Sequence, residues 1–342
     1  MEQISFDLST KIKTHICYAQ IFDSVLTLDQ IYSLCGNYGN TEVSKTISTL
    51  ESSGAIKVSG NYVHLKNNTA DFVKIKNERI RFSNEVISDN SSLLRILSKL
   101  PFILMIGVSG SIAHNNAKII GGELPDLDLF IITKPGSLYT TRLILMLTRK
   151  LSHILYCIGL LKKRISIDPN YLMEVDNLEV GNQSFFTAFE AITLKIIKGN
   201  SIYQYFLDSN VWISKYFPLE KKRHEKSSLK AIKKTRKVLQ GFNLLCFSFL
   251  FLYNRVNSVL FRTPISYSYQ PKPDITGSYR SIQHVGGGYQ PQIARRFGKL
   301  YETSFGKNEE LKNFLFPNTT EHGVKHRSKT VYTQSGSLGY GQ

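Results

Sequence analysis

The sequence predicts an α+β protein: a short mixed sheet flanked by helices, preceded by a small helical segment with a hairpin and followed by a helical C-terminal region. Three observations lead there. Two continuous apolar runs of strand length, PFILMIGV from residue 101 and DLDLFIIT from 126, lie close together, and such runs suit strands covered on both faces. A long stretch rich in Leu and Ile separates the second run from a third candidate strand, RISIDPNYLM. Ahead of them, the first 66 residues pass from helical periodicity to strand-like alternation.

Taken in order, residues 7–22 read as a helix. A second helix begins in LTLDQIYSL, with Thr27 as its N-cap, and Thr41 is placed to cap a third, TEVSKTISTLESSG. In that third helix Val43, Ile47 and Leu50 form one apolar stripe, and Gly54 ends it. AIKV and YVHL then alternate around Ser59-Gly60-Asn61 as a hairpin. Three helices and a hairpin are similar to a winged helix. The segment holds five Lys, no Arg and six acids, and its third helix offers phosphates only Lys45. That charge favours a packing or protein-contact role over DNA binding. Residues 67–100 read as connecting helices with a break near Asp89–Ser92, ended by Pro101. The core follows over 101–182, with a helix at about 138–161 capped by Ser137 and closed by Lys162-Lys163-Arg164. Residues 183–316 read as a helical region, with a loop over 264–290, and 317–342 as a loose tail.

Composition narrows the class. The 342 residues carry 43 Lys+Arg against 26 Asp+Glu, a net of +17, and 42% are hydrophobic, which excludes wholesale disorder. The charge is uneven: residues 220–342 hold 21 Lys+Arg and seven acids. Within them, 221–237 carries nine cations, so a polyanion such as RNA or an acidic surface is expected there. Cys17, Cys35, Cys157 and Cys246 have neither metal-site spacing nor disulfide density, which suits a reduced, cytoplasmic setting. No signal-peptide pattern is visible. The apolar run FNLLCFSFLFLY from 242 is too short to span a bilayer. It reads as a buried core helix; Lys237 and Arg255 at its flanks leave an in-plane membrane helix as the alternative.

The chemistry concentrates in GVSGS from residue 107 and in Asp126-Leu127-Asp128. Side chains alternate along a strand, so Asp126 and Asp128 share one face while Leu127 and Leu129 point to the core. Two carboxylates so placed suit a hard divalent cation, Mg²⁺ (or Mn²⁺), shared with substrate phosphates. Ser109, Gly110 and Ser111 open a helix directly after a strand; glycine permits close approach, and backbone N–H groups there suit phosphate. Arg142, one turn into the following helix, is either a triphosphate contact or a surface cation, and His114 reads as helix surface or cap. Glu174, Asp176 and Glu179 read as a solvated loop.

Gly-Ser followed fifteen positions later by Asp-x-Asp on the next strand resembles the DNA polymerase beta-like nucleotidyltransferase superfamily. The fuller string VSGSIAHNNA, DLDLFIIT, LYTTR, NYL and TAFE is similar to uncharacterised bacterial and archaeal nucleotidyltransferase-domain proteins, over about residues 1–215. The resemblance implies a third acid on a later strand. Asp168 is the nearest candidate, and beside Pro169 it is equally readable as a turn acid. The expectation is then an enzyme moving a nucleoside monophosphate from an NTP to an unidentified acceptor. Asp126 and Asp128 hold the metal, residues 109–111 hold phosphate, and Asp168 is the third catalytic acid. The alternative is a regulatory protein that binds nucleotide or nucleic acid on the same fold without turnover.

Overall fold

The computed structural model describes residues 6–66, 71–119, 125–160, 167–219, 236–260, 281–283 and 289–317. The N-terminal part comprises α1 (Leu8–Gln20), β1 (Leu26–Thr27), α2 (Leu28–Leu34), α3 (Asn40–Ser52), β2 (Ile56–Ser59) and β3 (Tyr62–Leu65). Thr27 caps α2 in a reciprocal capping box with Gln30, as its hydroxyl and spacing dictate. The N-cap of α3 is Gly39, two residues before the expected Thr41, and it has no side-chain cap. β2 and β3 form the expected hairpin, and β1 adds a third antiparallel strand.

The connecting helices are α4 (Phe72–Asp89) and α5 (Ser91–Ser98), parted at Asn90. Then come β4 (Ile103–Val108), the single turn α6 (Gly110–Ala113), β5 (Leu127–Thr133), α7 (Leu138–Cys157), β6 (Ile167–Glu174), α8 (Phe185–Ile192), β7 (Lys195–Lys198) and α9 (Asn200–Ser209). A 3₁₀ turn over Val211–Lys215 follows, then α10 (Arg236–Leu260), β8 (Ser281–Gln283), α11 (Tyr289–Phe305) and α12 (Glu309–Leu315). The second sheet is mixed, in the order β7-β4-β5-β6-β8. β4 runs antiparallel to β5 and β7, whereas β5 and β6 are parallel, with α7 as their crossover. The chain is thus α+β, mostly helical around two small sheets.

Alternation along β5 separates two cores. Leu127, Leu129 and Ile131 pack with Leu97 of α5 and Leu138 and Leu145 of α7. Phe130 and Ile132 face the other way, into a core that also contains Ile12, Ile47 and Phe217. The N-terminal part therefore shares one core with the larger sheet.

Four expectations are corrected. Residues 183–217 are not all helical: Lys195–Lys198 forms an edge strand after α8. Ser281–Gln283, expected within a loop, pairs with β6. The apolar run from 242 lies on α10 but is not a buried core helix: Cys246 and Leu250 are buried, while Phe242, Leu245, Phe249 and Leu252 are exposed. Glu174 is no solvated loop residue; it ends β6, only 4% exposed. Its Oε1 accepts the Gly136, Ser137 and Leu138 N–H groups at 2.7, 3.1 and 3.4 Å. Ser137 occupies the N-cap of α7 without a side-chain cap, so Glu174 satisfies the first-turn donors instead. The basic stretch 221–237 lies outside the described residues up to 235, as do Lys162-Lys163-Arg164 and the tail from 318.

Burial, aided by Asp176, pushes the Glu174 carboxyl up from its ordinary 4.5 to about 7, against the lowering effect of the three N–H donors. A carboxyl whose folded value is raised contributes stability fully present below its unfolded value and lost as pH rises through the folded one. Wild type is therefore expected to lose thermal stability relative to Glu174→Gln between about pH 4.5 and pH 8. A pH series of unfolding midpoints for the two proteins checks this; parallel curves across that window contradict it.

Candidate functional site

The turn leaving β4 is shaped by one glycine. Gly110 has φ +67°, a left-handed conformation that a side chain disfavours, and a Cβ there would collide with the Asp128 carboxylate. The adjacent Ser109 N–H donates to the Asp128 carbonyl at 2.9 Å, tying the turn to β5. Asp128 is half-buried on β5, and Asp126 is exposed just before the strand. On parallel β6, Asp168 stands in direct register with Asp128. The register shifts just beyond, at Pro169–Asn170, where proline has no N–H for the ladder. The Asn170 Nδ2 reaches back to the Ser109 hydroxyl at 3.5 Å.

A fourth carboxylate comes from α8. Glu190 Oε2 accepts the Gly110 N–H at 3.1 Å, and its Oε1 lies 3.6 Å from His114 Nε2. That imidazole nitrogen is also 2.7 Å from the Thr193 hydroxyl. Thr193 donates its single hydroxyl proton to the Phe189 carbonyl at 2.6 Å, so it accepts from His114, which places the ring proton on Nε2. Burial lowers the His114 pKa, outweighing the attraction of Glu190; the ring is neutral near pH 7 and its contact with Glu190 is not an ion pair there.

Burial also pushes the Asp128 carboxyl up to about 7, with Asp168, Glu190 and Asp126 adding repulsion in that order. Arg142 supplies opposing charge. Burial lowers its guanidinium to about 10, while Asp168 pulls the other way, so the two lie within electrostatic reach. Behind the turn, the Lys195 ammonium donates to the Ile112 carbonyl and to Asn115 Oδ1, at 3.3 and 2.5 Å. The buried Lys76 ammonium donates to the His114 carbonyl at 3.2 Å.

The structure thus brings Asp126, Asp128, Asp168, Ser109 and Gly110 together at one end of β4, β5 and β6. Ser111 is exposed in the single turn α6. Arg142 is set toward Asp168. The backbone cradle differs from expectation: the Ser109 and Gly110 N–H groups are engaged by Asp128 and Glu190. Sequence reasoning did not assign roles to Glu190 or Asn170. Glu190 is the lone acid between residues 180 and 207, on an aromatic helix, and that isolation was its available signal. Among the described residues no three Asp, Glu, His or Cys side chains already stand as a metal-ligand group. The side chains nevertheless suit a hard cation, because they offer carboxylate oxygens and Asp128 has Asp168, Glu190 and Asp126 within electrostatic reach. Compared with known protein families, curated proteins and solved structures, the chain matches none.

Replacing Gly110 tests this geometry. Gly110→Ala is expected to lower stability by about 1–2 kcal/mol through its left-handed backbone alone, and by more if Asp128 cannot shift. Ser111→Ala, at an exposed position, should change stability by less than about 0.5 kcal/mol. Denaturant titration of both variants reads the contrast.

Proposed function

We propose that the protein transfers a nucleoside monophosphate from an NTP to an acceptor hydroxyl or phosphate, with Mg²⁺ or Mn²⁺. The observation that carries this reading is the register of Asp128 with Asp168 on adjacent parallel strands, facing a glycine turn closed by Glu190. The Gly-Ser and Asp-x-Asp order of the sequence supports it, and with it a nucleotidyltransferase-type core beside a winged-helix-like N-terminal part.

In this reading Asp126 and Asp128 hold the cation, with Asp168 or Glu190 as a further oxygen ligand. The bound cation supplies charge neutralisation at the phosphates being transferred. Asp128 must give up its proton to serve, which its raised pKa allows as pH climbs through about 7. Gly110 keeps the turn free of side-chain bulk, so the Ser111 hydroxyl and backbone can approach phosphate oxygens. Asp168 orients the acceptor group and takes its proton, with the Arg142 guanidinium within electrostatic reach. Glu190 fixes the turn through the Gly110 N–H and ties it to His114, so the reacting groups stay in place.

The test is NTP turnover, read as pyrophosphate release with Mg²⁺ or Mn²⁺, over a panel of nucleic-acid, protein and small-molecule acceptors. Asp128→Asn and Asp168→Asn are expected to lower it by about 100-fold or more with the circular dichroism spectrum unchanged. Asp128→Asn should also unfold at a higher temperature near pH 8, because a repelled carboxylate is removed. If Asp128→Asn binds and turns over Mg–NTP as wild type does, the assignment is wrong. Nucleotide binding without pyrophosphate release from wild type would instead make the chain a nucleotide-binding regulator.

A further inference from the structure

α7 and α10 run side by side in the same direction. Near their starts Asn243 Oδ1 accepts the Tyr139 and Thr140 N–H groups, at 2.7 and 3.2 Å. Farther along, the Lys150 ammonium lies 4.1 Å from the centre of the Tyr253 ring. Cys246 and Leu250 bury one side of α10 against the sheet-side core. The rest of α10 keeps an apolar stripe in solvent: Phe242, Leu245, Phe249, Leu252 and Val256, spaced by three and four residues. α7 and its C-cap carry a second one at Leu147, Leu151, Ile154 and Ile158. Leu245 is 68% exposed, Leu252 62% and Leu151 57%. Single exposed leucines are ordinary; such stripes on two helices packed together mark a surface that is covered in use.

The charge around these stripes has one sign. Neither Leu138–Cys157 nor Arg236–Leu260 contains an Asp or Glu. Arg142, Arg149, Lys150, Arg236, Lys237 and Arg255 belong to the two helices; along the sequence Lys162-Lys163-Arg164 follow α7 and seven further cations at 221–234 precede α10. We propose that the α7–α10 face is an interfacial docking surface for an anionic lipid bilayer. Its leucines and phenylalanines enter the boundary between headgroups and acyl chains, and Arg149, Lys150 and Arg255 meet lipid phosphates. RNA would engage the cations but leave both apolar stripes in water. A second copy of the chain would cover the stripes but would set one molecule of net charge +17 against another. A bilayer surface satisfies both features, and it needs no spanning segment: among the described residues no helix is long and apolar enough to cross a membrane.

The test uses the full chain and phosphatidylcholine vesicles with or without about one-third phosphatidylglycerol. Wild type is expected to sediment with the anionic vesicles, less so as salt rises, and weakly with the neutral ones. Leu245→Gln with Phe249→Gln should lower the vesicle partition coefficient roughly tenfold or more, since both side chains leave the apolar phase. Because both are solvent-exposed, the unfolding midpoint should stay unchanged. As a second reading, Phe249→Trp should shift its fluorescence to the blue when anionic vesicles are added. The proposal is overturned if wild type ignores anionic vesicles, or if the double variant binds them equally well. It is also overturned if wild type instead forms a dimer that the double variant abolishes, or binds RNA but no vesicle.

Discussion

Like charges converge on a turn that has no room for a side chain, and much of the surrounding structure follows from that constraint. Asp128 is half-buried, with Asp168, Glu190 and Asp126 all raising the cost of its ionisation. Such a group is tolerated only where the scaffold leaves it no retreat. β5 and β6 fix Asp128 and Asp168 through their parallel register, and parallel strands require the long crossover that α7 provides. Glu190 is pinned by the Gly110 N–H on one side and faces His114 on the other. Any residue other than Gly110 is disfavoured there, because the backbone is left-handed and a Cβ would displace the Asp128 carboxylate. A cluster of this kind gains most from a cation or from a substrate that brings one, which links the packing to the proposed chemistry.

The parts legible in the sequence are those governed by short-range periodicity. Alternation was enough to place Asp126 and Asp128 opposite Leu127 and Leu129, and both leucines are fully buried. The Thr27 capping box and the break between α4 and α5 were equally local. Asp168 was ambiguous because Pro169 argues against a regular strand. The structure accommodates the proline with a register shift on its far side, and Asp168 keeps its place opposite Asp128. Glu190 could not be placed, because its partner Gly110 is eighty residues away and a lone glutamate on a helix has no periodicity. β7 was hidden for a related reason. Four residues flanked by aromatic helices carry too little pattern to outweigh their neighbours, and only pairing with β4 makes them a strand.

α10 shows where an apolar pattern misleads. Its sequence is as hydrophobic as a core helix, and burial was the expected fate. A helix has room for only part of its surface against one neighbouring layer, however, and α10 meets the sheet-side core through Cys246 and Leu250. A helix apolar nearly all round has more hydrophobic surface than a single contact can cover. What distinguishes α10 in the sequence is the absence of acids and the cations at its approach, and those bear on its surroundings more than on its secondary structure.

The N-terminal part bears on the site through a chain of polar contacts that begins well away from the carboxylates. Asn116 Nδ2 donates to the Phe22 carbonyl at 3.0 Å, and its Oδ1 accepts from Arg79 of α4 at 2.7 Å. Arg79 also meets the Asp23 carbonyl, while Lys76, one turn earlier, bridges the Ser24 hydroxyl and the His114 carbonyl. Burial and the nearby Arg79 and Lys195 pull the Lys76 ammonium down to about 8, so this bridge is held at an energetic cost. A buried cation with only neutral acceptors is a poor source of stability, but it fixes position: loss of any one acceptor would strand the charge. The segment after α6, with Asn115 in a left-handed conformation, is thereby clamped between α1's end and α4. His114 inherits that position and hands it on to Glu190 and then to the Gly110 turn. The small three-stranded sheet and its helices thus act as a buttress for the turn on which the carboxylates close.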